Sequence, residues 1–563
     1  MKVQGWDYLI LTASNALQAL AYEGQLQARR QLGLLPQVRE ALVVADLEGK
    51  RIGSGGSTLW CLVEILRREW ARHGIDLSGS GAIERTLSPL RILIVHAGGD
   101  SRRLPAYGPC GKIFVPLPGA PEASLPPALF DRLVPAFLAL PEGIPGRGQV
   151  VVAAGDALIR FDAGAVEFSQ PGLIALGCPA SAEEASRHGV FRMDAGGAVS
   201  LYLQKPSIET QQAAGALDAS GRAALDIGVM HMDAATAATL LSTFGVDAAG
   251  EGGLDFTAEA RRQILEHGVD LYREICCALG GSATLKHYTG SAHASGSTWS
   301  AKLLARVFPA LRAIPFHVQL VPACRFLHFG STRQLIESGL ALAEEDGSLP
   351  RSSTMLVVNS TVSWPGRIGG THSWVEGCRI TSLLELSGRN VITGVDVDEP
   401  LALPREACLE VLPGQSREGE HVYFVRCYGV RDTFKHSLVE DGQFCGRPLS
   451  LWLAAVGIPA EEVWPGVEQP AERSLWNARV FPAERKASGF RRWLWLYAPE
   501  SASEAELRAF RLADRYSAAE SALLTNQAAF HRRRAEIWRG LSTGGSGAGV
   551  SSRPAAGTMP SPS

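Results

Sequence analysis

At 563 residues the chain is too long for one ordinary domain, so two or three are expected. Hydrophobic residues make up 46% and charged residues 20%, which excludes a disordered chain, and a net charge of -3 argues against nucleic acid as the main partner. No run approaches the ~20 apolar residues that span a bilayer, and the start lacks the features of a signal peptide. Ten cysteines with no C-x-x-C, Cys276 and Cys277 being adjacent, suggest neither zinc nor disulfides, and a cytoplasmic protein with free thiols and no membrane partner is expected.

The first apolar segment is Tyr8-Leu9-Ile10-Leu11. Thr12 or Ser14 is placed to cap a helix through Ala28, with Leu17, Leu20, Ala21 and Ala28 as its apolar positions. A strand over Ala41–Ala45 leads into Arg51-Ile52-Gly53-Ser54-Gly55-Gly56-Ser57-Thr58, and a helix is expected from Leu59 to Trp70 on Leu59, Leu62, Val63, Leu66 and Trp70. A Gly/Ser loop entering a helix N-terminus suits an anion, which makes Gly55 and Gly56 candidate nucleotide contacts. A flexible turn explains the same residues equally well.

The richest stretch runs from Arg91 to Pro116. Ile92-Leu93-Ile94-Val95 suits a strand buried on both faces of a parallel sheet. It ends in His96-Ala97-Gly98-Gly99, followed by Ser101, Arg102, Arg103 and, after a Pro-rich turn, Lys112. Paired glycines at a strand end let the backbone approach a phosphate with amide N–H groups facing it, and the arginines and lysine would neutralise an oligophosphate.

A helix over Phe130–Leu138 precedes a second buried strand, Gln149–Ala154, ending at Gly155-Asp156. Asp156 lies where parallel sheets place ligands, as a candidate ligand for a divalent cation bridging phosphates, or as a simple turn residue. Gly172–Leu176 supplies another strand, and Gly189–Arg192 with Val199–Leu203 forms a hairpin around Asp194–Gly197 that runs into Lys205, a candidate phosphate or sugar contact. Asp226–Met230 is strand-like and opens on a carboxylate.

From Leu356 the period changes. Leu356, Val362, Ile368, Trp374, Ile380, Leu386 and Ile392 recur every six residues, as in a hexapeptide β-helix, the alternative being ordinary strands with coincidental spacing. A strand over His421–Tyr428 and an apolar-aromatic stretch over Leu449–Leu453 follow. Ser503–Trp538 reads as one or two helices, and Thr543–Ser563 as a disordered Gly/Ser/Pro tail whose Gly545–Ser552 only superficially resembles a phosphate loop. The residues alone indicate a nucleotide-handling α/β domain, suited to attack by a sugar phosphate on an α-phosphate with release of pyrophosphate.

His96-Ala97-Gly98-Gly99-Asp100-Ser101-Arg102-Arg103-Leu104-Pro105 through Gly111-Lys112 resembles the G-G-x-x-x-R-L-x-P…K signature of sugar-phosphate nucleotidyltransferases. Its variant form is similar to GDP-L-fucose pyrophosphorylases and to the pyrophosphorylase domain of bifunctional L-fucokinase/GDP-L-fucose pyrophosphorylases. Further similarity lies in Ile52–Thr58, Asp270-Leu271-Tyr272, Phe326–Thr332, Tyr428–Lys435 and Ser474–Pro482. The resemblance implies a Rossmann-like nucleotidyltransferase sheet over 1–345, a left-handed parallel β-helix over 346–485, a helical segment over 486–541 and a tail over 542–563. It implies synthesis of GDP-L-fucose from GTP and L-fucose 1-phosphate with Mg2+.

On that resemblance Arg103 and Lys112 are catalytic, stabilising the triphosphate, while Gly98, Gly99 and Ser101 contact nucleotide. Lys205 and Asp226 take the sugar phosphate, and Asp156 and Asp270 the metal, with Asp226 the alternative to Asp270 for the second metal carboxylate. Ser101-Arg102 stands where Gly-Thr is usual in the superfamily, and no kinase domain follows the helical segment, so a separate fucokinase is an implied partner. A non-catalytic module that binds nucleotide sugar or docks such a kinase is the competing reading. No G-x-G-x-x-G follows the Ile92 strand, which counts against an NAD-dependent oxidoreductase.

Overall fold

The computed structural model describes residues 5–74, 79, 81–119, 123–248, 254–322, 324–347, 354–440 and 442–544. Strands β1 (Trp6–Ala13), β2 (Val38–Ala45), β3 (Arg91–His96) and β4 (Gln149–Ala154) are parallel and lie in the order β2-β1-β3-β4. The sheet continues through β9 (Arg222–Met232), β6 (Leu173–Ser181) and the strand Phe316–Leu320. Of these seven only β9 runs against its neighbours. The hairpin β7 (Gly189–Met193) and β8 (Val199–Gln204) joins the sheet through β9.

Burial on both faces explains the unbroken apolar run of β3. Leu93 and Val95 join one core and Ile92 and Ile94 the other, and all four are fully buried. Each such side chain contributes about 1.5–3 kcal/mol relative to exposure. The chain leaves β1 for β2 on one side while β3 lies on the other, a switch in strand order at whose carboxyl edge parallel sheets place ligands.

Helix α1 spans Ala16–Gln31, and its cap is Asn15, whose side chain accepts from the Gln18 amide, not Thr12 or Ser14. Its inward face is Tyr22, Leu26 and Arg29. Leu17 and Leu20 are 55% and 66% exposed, bordering a groove toward Trp476 and Ala522.

Helix α2 begins at Gly53, six residues earlier than expected, and ends at His73. The Gly56 amide donates to the Val269 carbonyl, and a Cβ at Gly53 would lie 2.4 Å from that oxygen. Contact with a distant segment therefore overrides poor local helix propensity.

Three parallel ladders follow. Met355–Val358, Ser373–Glu376, Val391–Thr393 and Ala407–Gln415 form the first. The second joins Thr361–Val362, Arg379–Ile380 and Asp396–Val397, and the third joins Arg367–Gly369, Leu383–Leu386 and Leu401–Leu403. Leu356, Trp374, Ile380, Leu386 and Ile392 are buried, but Val362, in the terminal strand of its ladder, is 44% exposed. Trp374 pairs with Val391 and Ile392 with Val375, so the strict six-residue period slips by one residue there.

His421–Gly429 then pairs antiparallel with Ala407–Gln415, and Leu449–Val456 is a helix. The C-terminal stretch makes three helices, not one or two: Glu504–Leu512, Ala518–Leu523 and Gln527–Gly544. Ser503 with Glu506 and Ser517 with Glu520 form capping boxes that start the first two. The expected tail, including Gly545–Ser552, lies outside the described residues from 545 onward. Among the described residues no helix is long and apolar enough to cross a membrane.

Candidate active site

A cleft of about 860 Å³ opens at the carboxyl ends of β3 and β4. Gly98, Arg103, Lys112, Asp156, Lys205, Asp226 and Asp270 all line it. An adjoining cavity of about 390 Å³ shares Arg51, Ser54, His96, Gly98 and Asp270 with the cleft and is also lined by Gly99. Residues far apart in the sequence thus converge on one connected space.

Lys112 lies just past the end of the signature loop, its Nζ 3.9 Å from Asp156 Oδ2. Burial lowers the Lys112 ammonium below the usual lysine range, and Asp156 acts against that shift. The Asp156 carboxylate is 46% exposed on the cleft side. The Arg103 carbonyl accepts from the Thr332 amide at 2.8 Å, and the Asp156 carbonyl from the Phe329 amide at 3.2 Å. Those two bonds fasten the segment 325–332 across the cleft beside Arg103.

Asp270 is less free. Its Oδ1 accepts from the Tyr272 and Arg273 amides as the cap of the short helix Leu271–Cys276, and its Oδ2 accepts from Ser54 Oγ at 3.3 Å. Asp226 is 5% exposed, with Oδ1 accepting from the Gly228 amide and Oδ2 from the Tyr202 hydroxyl. Burial pushes its carboxyl up to about 6, those hydrogen bonds pulling the other way. Lys205 is exposed at the end of β8, its amide donating to the His188 carbonyl.

The glycine amides expected to face a phosphate are engaged within the protein. The Ala97 and Gly98 amides donate to Thr12 Oγ1, and the Gly99 amide donates to Ser14 Oγ at 2.5 Å. Gly55 and Gly56 line neither space, since a Cβ at Gly55 would meet Val269 and Ile275, and one at Gly56 would meet Ile52. The first turn of α2 instead presents Gly53, Ser54 and Ser57. Ser101 is buried at a φ of 55°, its hydroxyl without a partner and outside both linings.

Sequence reasoning missed Arg51, Arg187, His188, Tyr272, His328 and Gln334, all on the cleft wall. The Arg51–Thr58 stretch and the Phe326–Thr332 and Asp270–Tyr272 motifs include Arg51, His328 and Tyr272, but without a role for them. His96, half-buried with a ring nitrogen 3.0 Å from Thr58 Oγ1, is pushed down to about 4 by loss of solvent and stays neutral at physiological pH.

A family model described as the fucose pyrophosphorylase domain matches residues 84–486. The chain belongs to that family. It is 26% identical to the bifunctional fucokinase/GDP-fucose pyrophosphorylase of Arabidopsis thaliana, over 92% of this chain and 51% of that protein. It is also 26% identical to the L-fucokinase/L-fucose-1-P guanylyltransferase of Bacteroides fragilis, over 74% of this chain and 40% of the relative. The chain thus spans about half the length of these two-function relatives or less. With the fucose-1-phosphate guanylyltransferase of Mus musculus the identity is again 26%, over 85% of this chain and 83% of the mouse protein.

Among the described residues of this fucose pyrophosphorylase-family chain, no group of three or more His, Cys, Asp or Glu side chains is placed to hold a metal ion. A hard divalent cation needs only one or two protein carboxylates when phosphate oxygens and water complete its shell. Asp156 has an open carboxylate for it, and Asp270 Oδ2 is the other candidate.

Proposed function

We propose that the chain is a sugar-phosphate nucleotidyltransferase that makes GDP-L-fucose and pyrophosphate from GTP and L-fucose 1-phosphate. The observation that carries this reading is the convergence of Arg103, Lys112, Asp156 and Lys205 on one cleft, in a chain of this family. A phosphate oxygen of the sugar phosphate attacks the α-phosphorus of the nucleotide, the bond to the β-phosphate oxygen breaks, and pyrophosphate leaves. Arg103 and Lys112 neutralise charge that builds on the phosphoryl oxygens, while Lys205 and Arg187 hold the sugar phosphate. Asp156, with Asp270, would hold Mg2+, which supplies further charge neutralisation between phosphates. The nucleotide takes the side of the cleft shared with Gly98 and Gly99.

In the same reading the three ladders are the faces of a left-handed β-helix visited in turn, over 346–485, between a catalytic domain at 1–345 and a helical segment at 486–541. In this reading the protein works in the cytoplasm on L-fucose 1-phosphate that a fucokinase activity supplies. The non-catalytic alternative is not favoured, because the charged groups that the chemistry needs are all present around the cleft.

The test is pyrophosphate release by purified protein from GTP, ATP, UTP or CTP against a panel of sugar 1-phosphates. The expected result is turnover with GTP and L-fucose 1-phosphate, lost on chelation and restored by Mg2+. Absence of turnover with every pair would rule the reading out.

A further inference from the structure

One end of the cleft carries three rings that the phosphate chemistry does not use. His188 and His328 stack with centroids 5.3 Å apart and planes 24° from parallel. Phe326 lies 5.8 Å from each, nearly parallel to His328 at 8° and tilted from His188 by 32°. All three line the cleft and are only partly buried.

Their placement follows from the backbone. The strand Arg325–His328 pairs antiparallel with β5 (Ala157–Arg160), so Phe326 and His328, two residues apart, face the same side. That side is shared with Ala157 and Ile159, their register partners, which also line the cleft. His188 immediately precedes β7, and its carbonyl accepts from the Lys205 amide at 3.0 Å. The shelf is therefore fixed directly beside the lysine assigned to the sugar phosphate.

Among the described residues no protein group hydrogen-bonds either imidazole ring. Burial disfavours the charged form of both rings: it lowers His188 to about 4, with His328, Lys205 and Arg187 adding to the shift and Asp156 opposing, and it lowers His328, with Arg103 adding and Asp156 opposing. A neutral imidazole offers one donor and one acceptor, which matches a sugar hydroxyl and not an anion. A phenyl ring beside two such rings offers an apolar surface to a ring C–H face or a methyl group. Two unpaired, uncharged rings and an apolar one, next to a phosphate-holding lysine, are complementary to a deoxysugar phosphate.

We propose that Phe326, His188 and His328 form the specificity shelf for the sugar of the acceptor, Phe326 packing against the C6 methyl group of a 6-deoxyhexose and the two imidazoles exchanging hydrogen bonds with ring hydroxyls. This rests on the guanylyltransferase reading above and names the sugar subsite within it.

The experiment compares L-fucose 1-phosphate with D-arabinopyranose 1-phosphate, which keeps the ring hydroxyls and lacks the methyl group, in pyrophosphate release by wild type, Phe326→Ala and His188→Gln. One methyl group in an apolar subsite is worth roughly tenfold or more in kcat/KM, so wild type should prefer the fucose derivative by about that factor. In Phe326→Ala that preference should collapse toward unity. In His188→Gln, on a different element, kcat/KM should fall for both sugars with the preference kept. KM for GTP should stay as in wild type for both variants, which separates loss of the subsite from loss of the fold. Wild type that turns over fucose 1-phosphate, with a sugar preference unchanged in Phe326→Ala, overturns the shelf alone. Wild type that turns over no sugar phosphate overturns both the shelf and the reading beneath it.

Discussion

The indole of Trp374 donates a 2.8 Å hydrogen bond to the hydroxyl of Tyr107, joining the first parallel ladder to the loop between Arg103 and Lys112. The Tyr107 hydroxyl in turn donates to Glu376 Oε2 at 3.3 Å, and Arg534 from the last helix pairs with the same oxygen at 2.7 Å. Two residues earlier the Pro105 carbonyl accepts from Arg426 at 2.8 Å, and Arg426 is ion-paired with Glu410. Tyr107, Trp374, Glu376, Glu410 and Arg426 are all fully buried. The second half of the chain thus sets the position of the loop that carries Arg103 and Lys112. Tyr107→Phe leaves the Trp374 N–H buried without its acceptor, which costs about 1–3 kcal/mol. Urea denaturation should show that loss. Displacement of the loop should also lower kcat, by up to about 10²-fold, more than it changes KM for GTP. A kcat equal to wild type would show that the clamp only stabilises.

Gly111, immediately before Lys112, has a φ of 73°, and a Cβ there would lie 1.8 Å from the Tyr22 hydroxyl. That hydroxyl donates to the Ala97 carbonyl at 2.9 Å, on the strand side of the same loop. Gly111→Ala therefore carries a backbone penalty of about 1–3 kcal/mol and also displaces Tyr22. A lowered melting temperature together with a fall in pyrophosphate release is the expected outcome. An unchanged melting temperature would mean that the loop relaxes freely.

Asp226 is pushed up to about 6 from the ordinary value of 3.8, chiefly by burial. The folded protein therefore binds more protons at this site than the unfolded chain between those two values. Its stabilising contribution is complete below pH 3.8 and is lost as pH rises through about 6, a change of roughly 3 kcal/mol. Asn at this position keeps an acceptor for the Gly228 amide and a polar partner for the Tyr202 hydroxyl. Between pH 4 and 7 the stability of wild type should fall relative to Asp226→Asn, as read from urea midpoints. Asp46 and Asp432 are also raised, to about 6 and about 7, so the difference between the two proteins is the quantity to follow. Parallel curves would refute the assignment.

The strands of the sheet are legible because burial on both faces demands continuous apolar runs, as in Ile92–Val95 and Gln149–Ala154. The site is legible where charge and glycine punctuate those runs, at Gly98, Arg103, Lys112 and Asp156. Arg187 and His188 escape notice because only tertiary approach gives them a purpose, and Arg51 and His328, though they stand in stretches already singled out, gain a role only from the cleft they share. Gly55 and Gly56 mislead for a related reason: their small size serves contact with Val269, Ile275 and Ile52 instead of a ligand. The start of α2 at Gly53 is likewise set from a distance, by the Val269 carbonyl that accepts from the Gly56 amide and by the neighbouring Ser54–Asp270 bond, whose partners are 216 residues apart in sequence.

Lys112 is the cation whose loss should separate chemistry from folding. Its side chain is 15% exposed, and its ion pair to Asp156 is a 3.9 Å contact with a half-exposed carboxylate. A pair of that kind contributes little to stability, about 0–1 kcal/mol. Burial disfavours its charge, so removal of the ammonium also relieves a desolvation cost. Lys112→Met should therefore leave the melting temperature near that of wild type. Pyrophosphate release should nonetheless fall by about 10²–10³ in kcat, the usual effect of deleting one preorganised group that stabilises transition-state charge. Lys112→Arg should recover part of this, since the charge is kept while its geometry changes from a compact point to a planar fork. A loss in kcat that tracks a loss in melting temperature, equal in the Met and Arg variants, would assign Lys112 to the fold instead of the reaction.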